Sequence, residues 1–208
     1  MGTPSTDPAT PGLLESRPVY DGRIVHLSVD RVRFPDGSAG ELEMIRHRGA
    51  SAVLPVAGRV GDPDPEVLLL RQYRYAAGGY LYEVPAGLVG EGGESWEACA
   101  RRELEEETGQ RAGRIFPLTR IYTTPGFTDE VIHLFLATEL TEGRGALDAD
   151  EFVEVVRLPF SRALAWVHEG GIVDGKTIAT LLYVASVGME AIVRRPPEGG
   201  GEGTNRCP

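Results

Sequence analysis

The chain has 208 residues, of which 41% are hydrophobic, and a formal net charge of −10 at pH 7. This length and composition fit one globular domain with an ordinary core and a small appendage. The net charge disfavours nucleic acid as a partner, because a polyanion would be repelled, but a small anionic substrate is compatible if a metal ion or a few arginines invert the charge locally.

Strand patterns fill the first half of the chain. Residues 1–16 are rich in Pro, Thr and Ser, which predicts a disordered tail. Residues 17–49 alternate apolar and polar residues around a Pro-Asp-Gly turn and predict an antiparallel appendage of two or three strands. Three strand-like runs separated by turn residues follow, at 50–60, 66–74 and 80–89.

The second half mixes helices and strands. A Gly-rich segment leads into an acidic helical pattern, which we expect to begin near Ser95 and to stop at Gly109. Further strands are predicted at 113–124, 129–140 and 151–160, and helices at 161–169 and 176–194. Because the strands do not alternate strictly with helices, residues 50–195 predict a mixed-sheet α/β or α+β domain. Residues 196–208 are rich in Pro and Gly and predict a second disordered tail.

The segment "RRELEEETG", at residues 101–109, concentrates carboxylates near the end of a helix, where the helix dipole disfavours negative charge. On a helical wheel, one stripe contains Trp96, Cys99, Ala100, Glu103 and Glu107, with Glu106 beside it. Two carboxylates about 6 Å apart repel by about 3 kcal/mol at an effective dielectric near 20. A solvated face is the alternative, but the acids extend the apolar stripe. This spacing predicts a site for a hard cation, Mg²⁺ or Mn²⁺.

The segment from Gly87 to Gly109 resembles the signature of the Nudix hydrolases, G-x5-E-x7-R-E-U-x-E-E-x-G-U. Residues from Glu94 onwards fit without a gap. Six residues, rather than five, separate Gly87 from Glu94, and Gln110 replaces the usual aliphatic residue. The resemblance extends from about residue 17 to residue 195. It implies the Nudix fold, a mixed β-sheet sandwiched between helices, with Gly87 and Gly109 in structural roles.

The resemblance also implies a metal site. Glu103 and Glu107 match the main metal ligands of the family, and Glu106 matches an auxiliary ligand that shares in catalysis. The backbone carbonyl of Ala86 is implied as a further ligand. Arg102 is implied to be structural, pairing with the helix carboxylates. The expected cofactor is Mg²⁺, with Mn²⁺ as the alternative.

Segments outside the signature resemble the ADP-ribose pyrophosphatases within this family. They are "LLRQYRY", "YEVPAGL", "TTPGFTDE" and "DEFVEVVRLPF…GGIVDGKT". The resemblance implies substrate contacts from Arg74, Glu83, Gly126, Glu130 (on the terminal ribose side) and Arg46 (at the phosphates or a neighbouring subunit). The alternatives are a plain type II turn at Pro125–Gly126 and surface salt bridges at the charged positions.

The general base is expected in the acidic loop "LDADEFVEV". In the ADP-ribose group the base comes from this loop, and Glu151 matches its position best. A solvated acidic loop, which also contains Asp148, Asp150 and Glu154, is the alternative. A base here needs reach to the attacking water more than a special pKa.

"GGIVDGKT", at residues 170–177, formally satisfies the P-loop pattern. The segment before it reads as a helix, whereas a P-loop follows a strand, and only 31 residues remain after Thr177. We therefore interpret it as a connection between helices, with Lys176 opening the last one.

The sequence thus predicts a Mg²⁺-dependent hydrolase that splits ADP-ribose into AMP and ribose 5-phosphate, and a homodimer that exchanges N-terminal strands. The alternatives are a Nudix hydrolase of another nucleoside diphosphate (a nucleotide sugar or an oxidised nucleotide) and a non-catalytic ADP-ribose sensor. With no apolar run near the ~18 residues of a membrane span, no signal-peptide pattern and two cysteines, we expect a cytoplasmic protein without a membrane partner.

Overall fold

The computed structural model describes residues 10–90, 92–145 and 152–195. Over these residues the strands are β1 (Gly12–Asp21), β2 (His26–Arg33), β3 (Ala39–Arg46), β4 (Ala50–Pro55), β5 (Glu66–Arg74), β6 (Gly79–Glu83), β7 (Ala86–Leu88), β8 (Gln110–Tyr122), β9 (Val131–Glu142) and β10 (Val153–Pro159). The helices are α1 (Trp96–Thr108), α2 (Phe160–His168), α3 (Gly175–Val187) and α4 (Met189–Val193), with a 3₁₀ turn at Tyr75–Ala77. Within these described ranges, no helix is long and apolar enough to cross a membrane.

Strands β1, β2 and β3 form an antiparallel sheet of their own, which confirms the expected N-terminal appendage. The appendage starts earlier than expected, because β1 begins at Gly12, inside the segment assigned to a tail. Gly12 pairs with Arg33 and Ser16 with Asp30, so this segment lies in the sheet ladder with β2, with one irregularity between Leu13 and Glu15. The remainder of the two expected tails, residues 1–9 and 196–208, lies outside the described residues.

The central sheet has the strand order β7-β4-β9-β8. It is mixed, since β4 and β9 are parallel and the other two pairs are antiparallel. Alternate residues along β4 and β9 face opposite sides. Val53, Phe135 and Ala137 pack with α1, whereas Ala52, Leu54, Leu134 and Leu136 pack in the core that contains Leu181 and Val184 of α3. The sheet is therefore covered by a helix on each face, which confirms the predicted α+β sandwich.

The third sheet has the strand order β10-β5-β6 and is antiparallel. Residues 80–89, which the sequence predicted as one strand, form two strands, of which only β6 belongs to this sheet. The division falls at Val84–Pro85. β6 pairs with β5 in this sheet, while β7 pairs with β4 in the central one. The chain thus passes from one sheet to another at a proline, which has no N–H for a sheet ladder. The segment from β6 to β7 connects the two sheets at the start of the signature.

The last predicted helix, residues 176–194, is also divided. Gly188 separates α3 from α4 with φ 86° and ψ 133°, a conformation that a helix cannot contain. The short α4 then returns to the core through Met189 and Ile192, both buried. Because a single glycine is tolerated inside many helices, this break is set by the packing of α4 and not by the local pattern.

Candidate active site

Helix α1 has the ends that the sequence predicted. The Ser95 hydroxyl accepts a hydrogen bond from the Ala98 N–H at 3.1 Å and caps the first turn. Gly109 ends the helix with φ 68°, and its N–H donates to the Glu105 carbonyl at 2.9 Å. The two caps fix where the helix begins and ends, and therefore which carboxylates face inward.

The acids of α1 continue its buried stripe. Of the apolar members of this stripe, Cys99 and Ala100 are fully buried and Trp96 is partly buried; Leu104, beside the stripe, is also fully buried. Glu107 is only 5% exposed, and the Glu103 side chain is 12% exposed. Glu106 lies at the margin, with 38% of its side chain exposed. Burial of Glu103 and Glu107 contradicts the alternative of a solvated face.

Arg102 joins the carboxylates of this face. Its Nη1 donates to Glu103 at 2.6 Å and to Glu106 at 2.9 Å. Its Nη2 donates to the Leu88 carbonyl at 3.0 Å. Hydrogen bonding to Glu94, followed by the charge of Glu103 and by hydrogen bonds to Glu103 and Glu106, raises the pKa of Arg102 against the opposing effect of burial. One permanent positive charge thus offsets the repulsion among three carboxylates.

Glu94 belongs to the same network despite the longer loop before it. Its carboxylate accepts hydrogen bonds from Arg102 Nε at 2.9 Å and Nη2 at 3.1 Å. The Gly90 N–H donates to it at 2.6 Å. Arg102, and then Gly90, hold the pKa of Glu94 below its ordinary value. The extra residue of the loop is therefore accommodated before Glu94, whose carboxylate still reaches the signature arginine.

The backbone of β7 lies directly against the helix carboxylates. The Ala86 N–H donates to Glu107 at 3.0 Å, so the main chain at Ala86 touches that carboxylate. A Cβ built at Gly87 would overlap the carboxylate of Glu103. Gly87 is therefore needed for close approach of the Glu103 carboxylate, and not for an unusual φ angle.

This donor set fits a hard divalent cation. Carboxylate and backbone oxygens are the ligands that Mg²⁺ and similar ions prefer. Within the described ranges, no three Asp, Glu, His or Cys side chains converge as a metal site in this arrangement, and the oxygens of Glu103 and Glu106 accept hydrogen bonds from Arg102. The predicted ligands are nevertheless neighbours, with Glu103 above Gly87 and Glu107 against Ala86. The chemistry of the residues present therefore agrees with the predicted metal.

Arg74 and Glu83 form an ion pair between β5 and β6. The guanidinium donates from Nε at 2.7 Å and from Nη2 at 2.9 Å to a carboxylate that is 2% exposed. Lys176, in the first turn of α3, also donates to Glu83. Burial acts to raise the pKa of Glu83, but Arg74 and Lys176 together hold it below its ordinary value. Glu83 is therefore a buried anion between two cations, and the surface-salt-bridge alternative is wrong for it.

The turn "TTPGFTDE" is not the type II turn weighed as an alternative. That turn requires a positive φ at its third residue, and Gly126 is not among the glycines with positive φ. The N–H groups of Phe127 and Thr128 both donate to the Thr124 carbonyl, at 3.2 and 3.1 Å. A Cβ at Gly126 would meet no atom within 4 Å. The space beside Gly126 is therefore open.

Glu130 and Arg46 lie where the appendage meets this turn. Glu130 is 3.3 Å from the Nε2 atom of His47. Arg46, at the end of β3, donates to the buried Asp30 of β2 and, at 3.3 Å, to Asp129. The structure thus brings these two predicted substrate residues to one junction, and each already has contacts within the chain.

A positively charged groove opens beside this junction. It has a volume of about 390 Å³ and is lined by Arg23, Ile24, His26, Arg46, His47, Arg48 and Leu88. Leu88 ends β7, so the groove reaches the loop of the signature. Three arginines therefore concentrate positive charge locally in a chain whose net charge is −10, although Arg46 is also paired with Asp30 and Asp129. The groove therefore fits an anionic ligand.

The predicted base, Glu151, lies outside the described residues, as do Asp148 and Asp150 of the same loop. Glu154, on β10, is described. Its carboxylate is 3.4 Å from Nη1 of Arg71 in an exposed ion pair.

Sequence reasoning missed the residues that hold the predicted ones in place. Lys176 and Asp174 belong to the segment set aside as a false P-loop; Asp174 caps α3 by accepting from the Thr177 N–H at 2.9 Å. This segment follows α2, as expected for a connection between helices. Asp129, the partner of Arg46, lies inside the quoted turn motif but carried no signal of its own. The contacts of Arg46 with Asp129 and of Lys176 with Glu83 join residues more than 80 positions apart.

Comparison with known proteins identifies a family that matches this chain. Residues 46–181 match the family described as "NUDIX domain". The fold is similar to the solved structure "Crystal structure of ADP compounds hydrolase", with a TM-score of 0.72 and 23% identity, covering 88% of this chain and 96% of that one. At this identity the similarity supports the fold alone.

Two curated relatives are closer in sequence. The ADP-ribose pyrophosphatase of Bacillus subtilis is 39% identical over 80% of this chain and 88% of its own length. A GDP-mannose pyrophosphatase of Salmonella paratyphi B is 40% identical over 68% of this chain and 80% of its own length. Because the family match spans more than half of the chain and surrounds the α1 carboxylates, the chain belongs to the Nudix hydrolases.

Proposed function

We propose that the chain hydrolyses the pyrophosphate bond of ADP-ribose to give AMP and ribose 5-phosphate. The observation that carries this proposal is the 39% identity to an ADP-ribose pyrophosphatase over 80% of the chain. A match of that extent cannot be confined to the signature, and its aligned range includes the positions of the turn at 123–130 and of Arg74 and Glu83. Those segments lie outside the metal helix, where substrate preference within the family has to be encoded.

In this proposal, oxygens near the end of α1 hold the cofactor. Glu103, Glu107, Glu106 and the Ala86 carbonyl would bind Mg²⁺, with Mn²⁺ as the alternative. The ion supplies Lewis-acid stabilisation of the pyrophosphate charge. Arg102 keeps Glu103 and Glu106 oriented, at 2.6 and 2.9 Å, before substrate arrives.

Cationic side chains supply the remaining attraction for an anionic substrate. A guanidinium has five N–H donors, and Arg74 uses only two of them on Glu83. We assign the others to a phosphate of the substrate. The groove that contains Arg46 provides further positive charge, and Glu130 and Gly126 border the neighbouring turn, where we place the terminal ribose. Glu151 stays the proposed general base.

The test is a hydrolysis assay with Mg²⁺ against ADP-ribose, NADH, GDP-mannose, other nucleotide sugars and 8-oxo-dGTP, with products separated by chromatography. We expect preferential turnover of ADP-ribose to AMP. The test variant is Glu107→Gln, because glutamine can still accept a hydrogen bond from the Ala86 N–H while the charge of the metal ligand is lost. We expect no turnover and an unchanged circular dichroism spectrum. Near-normal activity of this variant would remove Glu107 from the metal site.

The second candidate is GDP-mannose, because a GDP-mannose pyrophosphatase aligns with 40% identity. Preferential release of GMP in the same assay would replace ADP-ribose by this substrate and leave the metal helix unchanged. Binding of ADP-ribose without turnover of any compound would instead favour a sensor.

We further propose a homodimer formed through the appendage. Large apolar side chains are exposed there: Val19, Tyr20, Ile24, Val25 and Leu42. Exposed apolar clusters of this kind mark association surfaces. Sedimentation velocity should give the mass of two chains, and the mass of one chain would contradict the dimer.

We place the protein in the cytoplasm, where the free, buried thiol of Cys99 stays reduced.

A further inference from the structure

Lys176 is the single lysine among 21 Lys and Arg residues in the chain. Its side chain is only 12% exposed, in the first turn of α3. The ammonium donates to Glu83 and, at 3.1 Å, to Asp174. Burying a lysine is costly unless its charge is paired, so this position is unlike the exposed arginines elsewhere on the molecule.

Lys176 holds the carboxylate that orients Arg74. The Oε2 atom of Glu83 accepts from Arg74 Nη2 at 2.9 Å and also from Lys176. The Glu83 carboxylate is thus shared by two cations, while Asp174 offsets the charge of Lys176. The second contact holds Glu83 in place and restricts the position from which the half-exposed guanidinium can be oriented. A lysine suits this place because its ammonium is a compact point charge, whereas an arginine fork is planar and larger.

The first turn of α3 also fixes the chain next to Glu83. Asp174 accepts from the Thr177 hydroxyl at 2.6 Å, and the Thr177 hydroxyl oxygen accepts from the Val84 N–H at 2.8 Å. Thr177 is fully buried. Val84 is two residues before Ala86, whose N–H binds Glu107. Segment 174–177 therefore holds both the carboxylate that orients Arg74 and the backbone that leads to the metal ligands.

We propose that Lys176 is a positioning residue of the proposed hydrolase: by holding Glu83, it fixes the orientation in which Arg74 presents its remaining N–H groups to a phosphate of the substrate. Lys176 itself does not touch the substrate. The inference rests on the proposed function, since it concerns how Arg74 recognises a nucleoside diphosphate. It also gives a role to the segment whose spacing imitates a P-loop, a role in which the lysine binds a carboxylate and not a phosphate.

The test is a double-mutant comparison on the full chain with Mg²⁺ and ADP-ribose. KM and kcat are measured for the unmodified protein, Lys176→Met, Arg74→Ala and the double variant. We expect Lys176→Met to raise KM by about tenfold while kcat changes by less than about twofold. The double variant should be no worse than Arg74→Ala alone, because Lys176 acts through Arg74. Independent, multiplying losses would mean that Lys176 contacts the substrate directly and would overturn the proposal.

Two further variants separate positioning from folding. Arg194→Met removes one cation from an exposed pair with Glu190 on α4 and should leave KM unchanged. If Lys176→Met does not fold, Lys176→Gln replaces it, because the amide keeps an N–H for Glu83 without the charge; a raised KM with unaltered kcat supports the proposal. A lower melting temperature with a normal KM would show a packing role only. An unmodified protein that is inactive on ADP-ribose contradicts the proposed function instead, before any variant is measured.

Discussion

Gly87 is the residue at which the loop and the metal helix come closest. A methyl group there would overlap the Glu103 carboxylate, while the φ angle of Gly87 is one that alanine can adopt. We therefore predict that Gly87→Ala leaves the fold intact but displaces Glu103. The Mg²⁺ affinity should fall by about 10- to 100-fold, as for other changes that disturb the support of a metal ligand. The measurement is the Mg²⁺ dependence of kcat, together with thermal unfolding.

Gly61→Ala is the control for this substitution. Gly61 lies in the loop between β4 and β5, and a Cβ there would meet no atom within 4 Å. Its Mg²⁺ dependence should equal that of the unmodified chain. Equal Mg²⁺ affinities for all three proteins would show that Glu103 does not need the space above Gly87.

At the residue scale, the sequence could identify the acids of α1 but not their partners. Spacing along a helix is local, so Glu103 and Glu107 were placed correctly on the buried stripe. The contact between Lys176 and Glu83 joins residues 93 positions apart and exists only because α3 packs against β6. The substrate contact expected of Glu83 stays a prediction; the structure adds two protein cations around this carboxylate, which no single-residue signal could have revealed.

Strand β9 contains a non-glycine residue in a left-handed conformation, Glu139 with φ 58°. This conformation costs a non-glycine residue about 1–2 kcal/mol. Its ion pair with Arg114 is long, at 3.9 Å, and exposed, so it adds little. We predict that Glu139→Gly stabilises the protein by up to about 1 kcal/mol, after the entropy cost of glycine is subtracted. Urea unfolding measures this difference, and Glu139→Ala, which keeps the strain, should show no gain.

At the element scale, the best predictions had local causes. The ends of α1 follow from a cap that Ser95 provides and a stop that Gly109 provides, both readable in sequence. β5 coincides with its predicted bounds because its apolar run is flanked by turn residues. The division of residues 80–89 at Pro85 depends on which sheet each half joins, and the start of β1 depends on pairing with β2. Both depend on which strands pair in the folded chain, and a linear pattern does not encode that pairing.

The whole molecule should lose stability in acid through its paired carboxylates. Burial acts to raise the pKa of Glu83, but Arg74 and Lys176 lower it by more, so it lies below the ordinary value of 4.5. Arg102 likewise lowers the pKa of Glu94 below 4.5. A depressed pKa in the folded state stabilises the fold above the unfolded value and ceases to do so as pH falls through the folded one. We predict that the free energy of unfolding declines below about pH 4.5. Urea titrations from pH 7 to pH 3 give this profile.

Glu83→Gln tests the origin of that decline. The variant has no carboxylate at the buried position, so its free energy of unfolding should fall less steeply in acid, even if it is less stable at neutral pH. Parallel profiles for the two proteins would assign the acid loss to other groups.

The single lysine also limits where reagents that modify side-chain amines can react with this protein. An acylating reagent at neutral pH finds one side-chain amine, and that amine is ion-paired and 12% exposed. We expect its modification in the folded chain to require the contact with Glu83 to open. The labelling rate, followed by mass spectrometry, therefore measures how often that contact opens.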